Sequence, residues 1–145
     1  MEKISRFVFS PIHVGKKGIL PSVFSHTFTV GCSIQRESIV SERELSQFVR
    51  NFLAGKSDRT WHGVLIGDCE VLRGCTLKSS QKRAFCVYDT AEKDNPAHGE
   101  IHQSQYVIDE ADKVELRAKL FETFNSGVAT SPTAYRSGSI LATVC

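Results

Sequence analysis

Hydrophobic positions along this chain recur with two different periods, one typical of strands and one typical of helices. Short runs that alternate apolar and polar residues, or that are rich in β-branched and aromatic residues, predict strands, because successive side chains of a strand point to opposite faces. This pattern predicts strands at Ile4–Ser10, Val23–Val30, Trp61–Ile66, Cys69–Leu72, Ala84–Tyr88, His98–Val107 and Ile140–Val144. Ala84–Tyr88 is almost continuously apolar, so we expect it in the centre of the sheet.

The first helix has both a start signal and a stop signal. Ser41 and Glu44 match a capping box, in which the hydroxyl of the first residue accepts from the backbone N–H of the fourth and the glutamate side chain reaches back. Apolar residues then follow at helical spacing, and Gly55 supplies a left-handed end. The apolar stripe consists of Leu45, Phe48, Val49, Phe52 and Leu53.

A second helix is predicted to begin at Asp109 or Asp112 and to end at 125–127. Its apolar stripe consists of Leu116, Leu120, Phe121 and Phe124. Glu115 and Lys119 are spaced to form an i,i+4 ion pair.

Several strands running together around two separated helices predict one α+β domain over residues 1–145. We expect a mostly antiparallel sheet of about five or six strands with two amphipathic helices on one face. The opposite face would then be solvated, form a ligand cleft or provide a homodimer surface.

Composition and charge exclude several classes of protein. The chain is 41% hydrophobic and 23% charged, which is typical of a globular domain and not of collagen, a disordered tail or a disulfide scaffold. Its net charge of +2 does not by itself indicate a nucleic-acid partner. No long apolar segment is present, so we expect neither a signal peptide nor a membrane partner.

The five cysteines contain no C-x-x-C pair, which excludes a zinc ribbon and a thioredoxin-type motif. Several of them lie in apolar stretches, where a free cysteine behaves as a small buried hydrophobe. We therefore expect a reducing, cytoplasmic environment.

The densest group of chemically active residues is His98, Glu100 and His102. On a strand these three side chains share one face. His98-Gly99-Glu100 is the first half of the zinc nucleobase-deaminase pattern, in which the histidine binds zinc and the glutamate moves protons. The second half, P-C-x-x-C, is missing, because Cys145 is the only downstream cysteine.

A histidine-dependent or metal-dependent hydrolase is the alternative that this group suggests. We expect His62 to meet His98 across the sheet, with Glu100 as general base and the histidines as metal ligands or as an acid and an orienting group. A phosphodiester or nucleotide would be the substrate. His62 or Cys86 could complete a metal site with His98 and His102, and the sequence leaves open both the metal and any cofactor.

A third hypothesis is binding of RNA or single-stranded DNA by basic residues on loops, with aromatic residues for stacking. The basic residues are Lys16, Lys17, Lys78, Lys82 and Arg83.

Three segments together resemble small uncharacterised bacterial proteins carried on mobile elements, including integron gene cassettes. The segments are 61–64, 83–90 and 95–100, and the resemblance extends from Trp61 to about Arg136. It implies a bacterial, cytosolic source and an accessory or defence role, and it implies no site residues.

No complete catalytic motif accompanies this ordinary globular composition. The first hypothesis is therefore a non-catalytic accessory or binding protein with an unknown protein or small-molecule partner, and a homodimer is one expected state.

Overall fold

A five-stranded antiparallel sheet organises the molecule in the computed structural model, which describes residues 2–39 and 41–124. In chain order its strands are β1 (Lys3–Ser10), β4 (Cys32–Arg36), β5 (Thr60–Asp68), β6 (Phe85–Asp89) and β7 (His98–Gln103). They lie side by side in the order β5-β1-β4-β7-β6, and every neighbouring pair is antiparallel. A small hairpin of β2 (Val14–Gly15) and β3 (Gly18–Ile19) follows β1.

Three α-helices and one 3-10 helix complete the described part of the chain. The α-helices are α1 (Glu42–Leu53), α2 (Cys69–Gly74) and α3 (Glu110–Thr123), and the 3-10 helix is Pro21–Phe28. Helices and an antiparallel sheet in one small domain confirm the predicted α+β class. None of the helices within the described ranges is long and apolar enough to cross a membrane.

The two long helices cover opposite faces of the sheet, which differs from the expected arrangement on one face. Ile4 and Val8 of β1 pack with the residues of α2, α3 and the 3-10 helix. Phe7 and Phe9 of the same strand pack with α1 on the other side. Since β1 is apolar on both faces, both faces need a cover.

Two predicted strands are helical instead. Val23–Val30 lies mostly within the 3-10 helix, where Val23, Phe24 and Thr27 are buried and His26 is exposed. Helical spacing of the buried residues replaces the alternation that the sequence suggested.

Cys69–Leu72 belongs to α2, not to a strand. The Asp68 carboxylate accepts from the backbone N–H groups of Glu70 and Val71, which caps the helix directly at the end of β5. The predicted strand Cys69–Leu72 is therefore wrong.

β6 is an edge strand, although the sequence predicted a central one. Among the described strands it pairs only with β7, and Tyr88 is 51% exposed. The strand is apolar because Phe85 and Val87 face the core that β6 shares with α2 and α3.

Local helix signals are confirmed. Both bonds of the capping box between Ser41 and Glu44 are formed, and Asp109 caps α3 by accepting from the Asp112 backbone N–H at 2.8 Å. Glu115 and Lys119 pair at 3.5 Å. The predicted stop at 125–127 and the predicted strand Ile140–Val144 lie outside the described residues.

Candidate functional site

A cleft opens where β1 and β4 part. The two strands are paired only at Ile4–Arg36 and Ser5–Gln35, whereas β4 continues along β7 for four residue pairs. Arg6 stands at the split, and its Nη1 donates to the Ser33 carbonyl oxygen at 2.9 Å. The Arg6 guanidinium therefore bonds to β4 where the backbone pairing of β1 with β4 has ended. A gap between the two strands remains on the α1 side of the sheet.

The gap forms a cavity of about 470 Å³. Its floor is the sheet, one wall is α1 with Phe48 and Phe52, and the loops after β1 and before β7 close its ends. Polar residues that line it are Ser5, Arg6, His13, His26, Ser33, Gln35, Arg59, Glu92, Asn95 and His98. Volumes of this size are typical of small-molecule sites.

Three buried polar atoms in cavity-lining residues have no hydrogen-bond partner among the residues that the structure describes. They are Ser5 Oγ, Gln35 Oε1 and Asn95 Nδ2. Folded proteins pair nearly all buried polar atoms, and one left unpaired destabilises the fold by about 1–3 kcal/mol. The lining of one cavity therefore contains three buried polar atoms whose hydrogen-bonding capacity the described residues leave unused.

Arg6 is half-buried and carries a positive charge without a carboxylate partner among the described residues. Its Nε donates to the Val23 carbonyl oxygen at 2.8 Å, so two backbone carbonyls fix the plane of the guanidinium. Neither of them neutralises its charge.

His13 is a neutral hydrogen-bond donor beside this arginine. Its side chain is almost fully buried, and Nδ1 accepts from the Phe9 backbone N–H at 3.1 Å, which places the proton on Nε2. Burial, followed by the positive charges of Arg6, Arg59 and His26, lowers the pKa of His13 to about 4.

His98 lines the same cleft and contacts Thr90 through Nδ1. Its Nδ1 lies 3.2 Å from the Thr90 carbonyl oxygen and 2.8 Å from the Thr90 hydroxyl. The carbonyl oxygen can only accept, so in the tautomer that donates from Nδ1 to it Nε2 keeps its lone pair; the Thr90 hydroxyl can serve either tautomer. Glu92 Oε1 is 4.0 Å from the same Nδ1.

Glu100 and His102 form a pair of their own outside the cavity. Their Oε2 and Nε2 atoms are 2.9 Å apart, and the His102 ring meets Tyr88 edge to face at a centroid distance of 5.3 Å. Gly31 lies against this pair, because a Cβ atom there would fall within 2.8 Å of Glu100 Oε2. The predicted set of three therefore shares one face of β7 but divides into a cleft residue, His98, and a separate hydrogen-bonded pair, Glu100 and His102.

His62 does not join them. It lies in β5, at the opposite edge of the sheet, with β1 and β4 between it and β7. The expected meeting of His62 with His98 across the sheet is therefore wrong.

A metal site with three protein ligands is not found within residues 2–39 and 41–124. Cys32, Cys69, Cys75 and Cys86 are free thiols. Burial raises the pKa of Cys32, Cys69 and Cys75, which opposes formation of a reactive thiolate at those three positions.

The basic residues of the nucleic-acid hypothesis occupy exposed turns. Lys16 and Lys17 form the tip of the β2–β3 hairpin, and Lys78, Lys82 and Arg83 belong to the turn before β6. They do not line the cleft.

Sequence reasoning missed Arg6, His13 and Gln35 as cleft residues. One signal was present, since Arg6 interrupts the apolar run of β1 with a charge. The sequence around Gln35 contains no such signal. Gln35 reaches the cleft because β4 pairs with β1 and β7, and that pairing is a tertiary feature.

No protein-family model, no curated protein and no solved structure has a significant match to this chain. The mobile-element origin, the homodimer and the nucleic-acid partner therefore stay predictions, and function has to be argued from the cleft.

Proposed function

We propose that this protein is a binding protein whose ligand is a small molecule held in the cleft between β1, β4 and α1. The observation that carries the proposal is the set of three partnerless buried atoms, on Ser5, Gln35 and Asn95, around one cavity. A ligand in the cavity supplies the hydrogen bonds that these atoms lack once their side chains turn toward it, which offsets an existing penalty. An accessory role of this kind also agrees with the resemblance to cassette-borne bacterial proteins.

A small-molecule screen with a matched pair of variants tests the proposal. Neutral, cationic and anionic compounds are screened by ligand-detected NMR and by thermal shift against wild type, Gln35→Met and Gln105→Met. Gln35 lines the cleft and is almost fully buried, whereas Gln105 is exposed after β7.

We expect compounds that bind wild type and Gln105→Met and that lose about tenfold or more in affinity for Gln35→Met, since one buried hydrogen bond is worth roughly that factor. A screen without binders in any charge class, or binders indifferent to Gln35→Met, would contradict the proposal.

Acid–base hydrolysis is the second candidate function, favoured by the contact of His98 Nδ1 with the Thr90 carbonyl oxygen. A histidine whose Nδ1 proton is held by a backbone carbonyl presents Nε2 as a base, and His98 shares its cleft with Arg6, a group suited to a phosphoryl oxygen. Of the four residues that the sequence predicted for hydrolysis, this candidate keeps His98 and leaves out His62, Glu100 and His102.

Hydrolysis of bis(p-nitrophenyl) phosphate tests this candidate. His98→Gln should lower the rate by about 10²–10⁴-fold, and His102→Gln, on the same strand but outside the cavity, should leave it unchanged. An inactive wild type, or equal losses in the two variants, would count against hydrolysis.

A further inference from the structure

We propose that the ligand of this cleft carries one anionic group, a carboxylate or a phosphate, bound at Arg6, and an aromatic body packed against the phenylalanines of α1 and β1. This inference rests on the proposed function and adds the chemical class of the ligand.

The charge of Arg6 is the feature that indicates an anionic ligand. A half-buried guanidinium with no carboxylate partner in the described ranges is an incomplete charge pair. Its Nε and Nη1 are used by the carbonyls of Val23 and Ser33. Nη2 makes no hydrogen bond with any residue that the structure describes and is a donor for an oxyanion, the group whose geometry guanidinium matches best.

The surroundings of Arg6 add positive charge. Arg59 lines the cavity and lies near enough to His13 to disfavour its protonation. Asp58 neutralises part of the Arg59 charge through two contacts of 2.9 and 3.2 Å. The lining also contains one described carboxylate, Glu92, which lies beside His98. Within the described lining, Arg6 is therefore the arginine that no carboxylate contacts, and its charge favours an anion.

Neutral donors suit the same ligand. His13 offers an Nε2 proton and Asn95 an unused Nδ2 donor. An oxyanion accepts such hydrogen bonds without a further charge in the site, and charge-assisted bonds are stronger than neutral ones.

The apolar part of the cleft specifies the ligand body. Phe7, Phe9, Phe48 and Phe52 form a continuous wall. The rings of Phe9 and Phe52 are stacked at a centroid distance of 5.3 Å, and those of Phe7 and Phe48 are tilted at 6.3 Å. Aromatic rings pack on such walls in offset or edge-to-face geometry. A cavity of about 470 Å³ has room for one ring system together with its acidic group.

Direct binding measurements on the full chain distinguish the classes. The probes are benzoate, phenyl phosphate and uncharged benzyl alcohol, titrated while the fluorescence of the single tryptophan is recorded. Trp61 is a suitable reporter because its ring contacts Phe7 and Phe9 at 5.4 and 6.1 Å.

We expect at least one of the two acids to bind wild type about 10- to 100-fold more tightly than benzyl alcohol, the range that one charged hydrogen-bonded pair provides. Arg6→Gln should remove that preference, Arg6→Lys should keep part of it, and Arg73→Gln, an exposed arginine on α2, should keep all of it. Which acid binds more tightly separates carboxylate from phosphate recognition.

Equal affinity of wild type for benzyl alcohol and both acids would overturn this inference, and so would a screen whose binders are all neutral or cationic. Both results leave the binding function standing, whereas the absence of any binder refutes the binding function itself. The wild-type comparison needs no variant, so it decides the question even if Arg6→Gln does not fold.

Discussion

The backbone N–H of Phe9 donates to Nδ1 of His13 at 3.1 Å, across the turn that leaves β1. This single bond fixes the imidazole tautomer and secures the loop at the end of the cleft. Protonation of His13 would turn Nδ1 into a donor facing another donor and would place a charge beside Arg6 and Arg59.

The free energy of unfolding should therefore fall as the pH is lowered from 6.5 to 4, the interval between the unfolded and folded pKa values of His13. Its pKa is about 4 in the folded protein against 6.5 in an unfolded chain, so the unfolded state binds more protons between these values. The His13 contribution is fully present above pH 6.5 and is lost as the pH falls toward 4, by up to about 3 kcal/mol. Urea unfolding between pH 4 and pH 8 measures it.

The matched variants for this experiment are His13→Asn and His62→Gln. Asparagine keeps an acceptor for the Phe9 N–H but does not titrate, so His13→Asn should flatten the slope between pH 4 and pH 6.5. His62 lies on β5 outside the cleft, and His62→Gln should retain the slope. A His13→Asn profile as steep as wild type would refute the assignment.

Gln35→Met should stabilise the ligand-free protein while it weakens ligand binding. The substitution keeps the volume of the side chain and removes a buried oxygen that has no partner, which should raise the free energy of unfolding by about 1 kcal/mol. Gln105→Met, at an exposed position, should change it by less than about 0.5 kcal/mol. Denaturant melts of the three proteins check this, and a destabilised Gln35→Met would mean that Oε1 is already satisfied.

Gly31→Ala should destabilise the fold more than Gly55→Ala. Both glycines have positive φ angles, +104° and +78°, so both replacements strain the backbone by about 1 kcal/mol. Only at position 31 would the new Cβ meet side chains, at 2.4 Å from His102 Nε2. We expect the variant at 31 to lose about 1–2 kcal/mol more and to shift the NMR signals of the His102 ring. Equal losses would mean that the Glu100–His102 pair moves aside freely.

Ser41→Ala should lower the free energy of unfolding by about 1 kcal/mol, because it removes the cap of α1. This helix contributes Phe48 and Phe52 to the aromatic wall of the cleft. Ser57→Ala, in the exposed turn before β5, is the control and should be neutral. Urea unfolding monitored by circular dichroism provides the comparison. A neutral Ser41→Ala would show that packing of Leu45 and Val49 alone holds the helix start.

Features that depend on near neighbours were predictable. The Ser41–Glu44 box and the stripe after it lie within one helix, and the common face of His98, Glu100 and His102 follows from the pleat of a single strand. Val23–Val30 and Cys69–Leu72 were mistaken because short apolar runs fit a helix as well as a strand. Their outcome depends on Pro21 at the start of the 3-10 helix and on Asp68 as a cap.

The sequence by itself determined the α+β class, both long helices and the face that three β7 residues share, since each of these depends on periodicity and local hydrogen bonds. Only the tertiary structure decided which residues form the site. Strand order separates His62 from His98, and the parting of β1 from β4 brings Arg6, His13 and Gln35 to one cavity. Strand order and register arise from packing between residues that are distant in the chain, and periodicity within one segment carries no information about them.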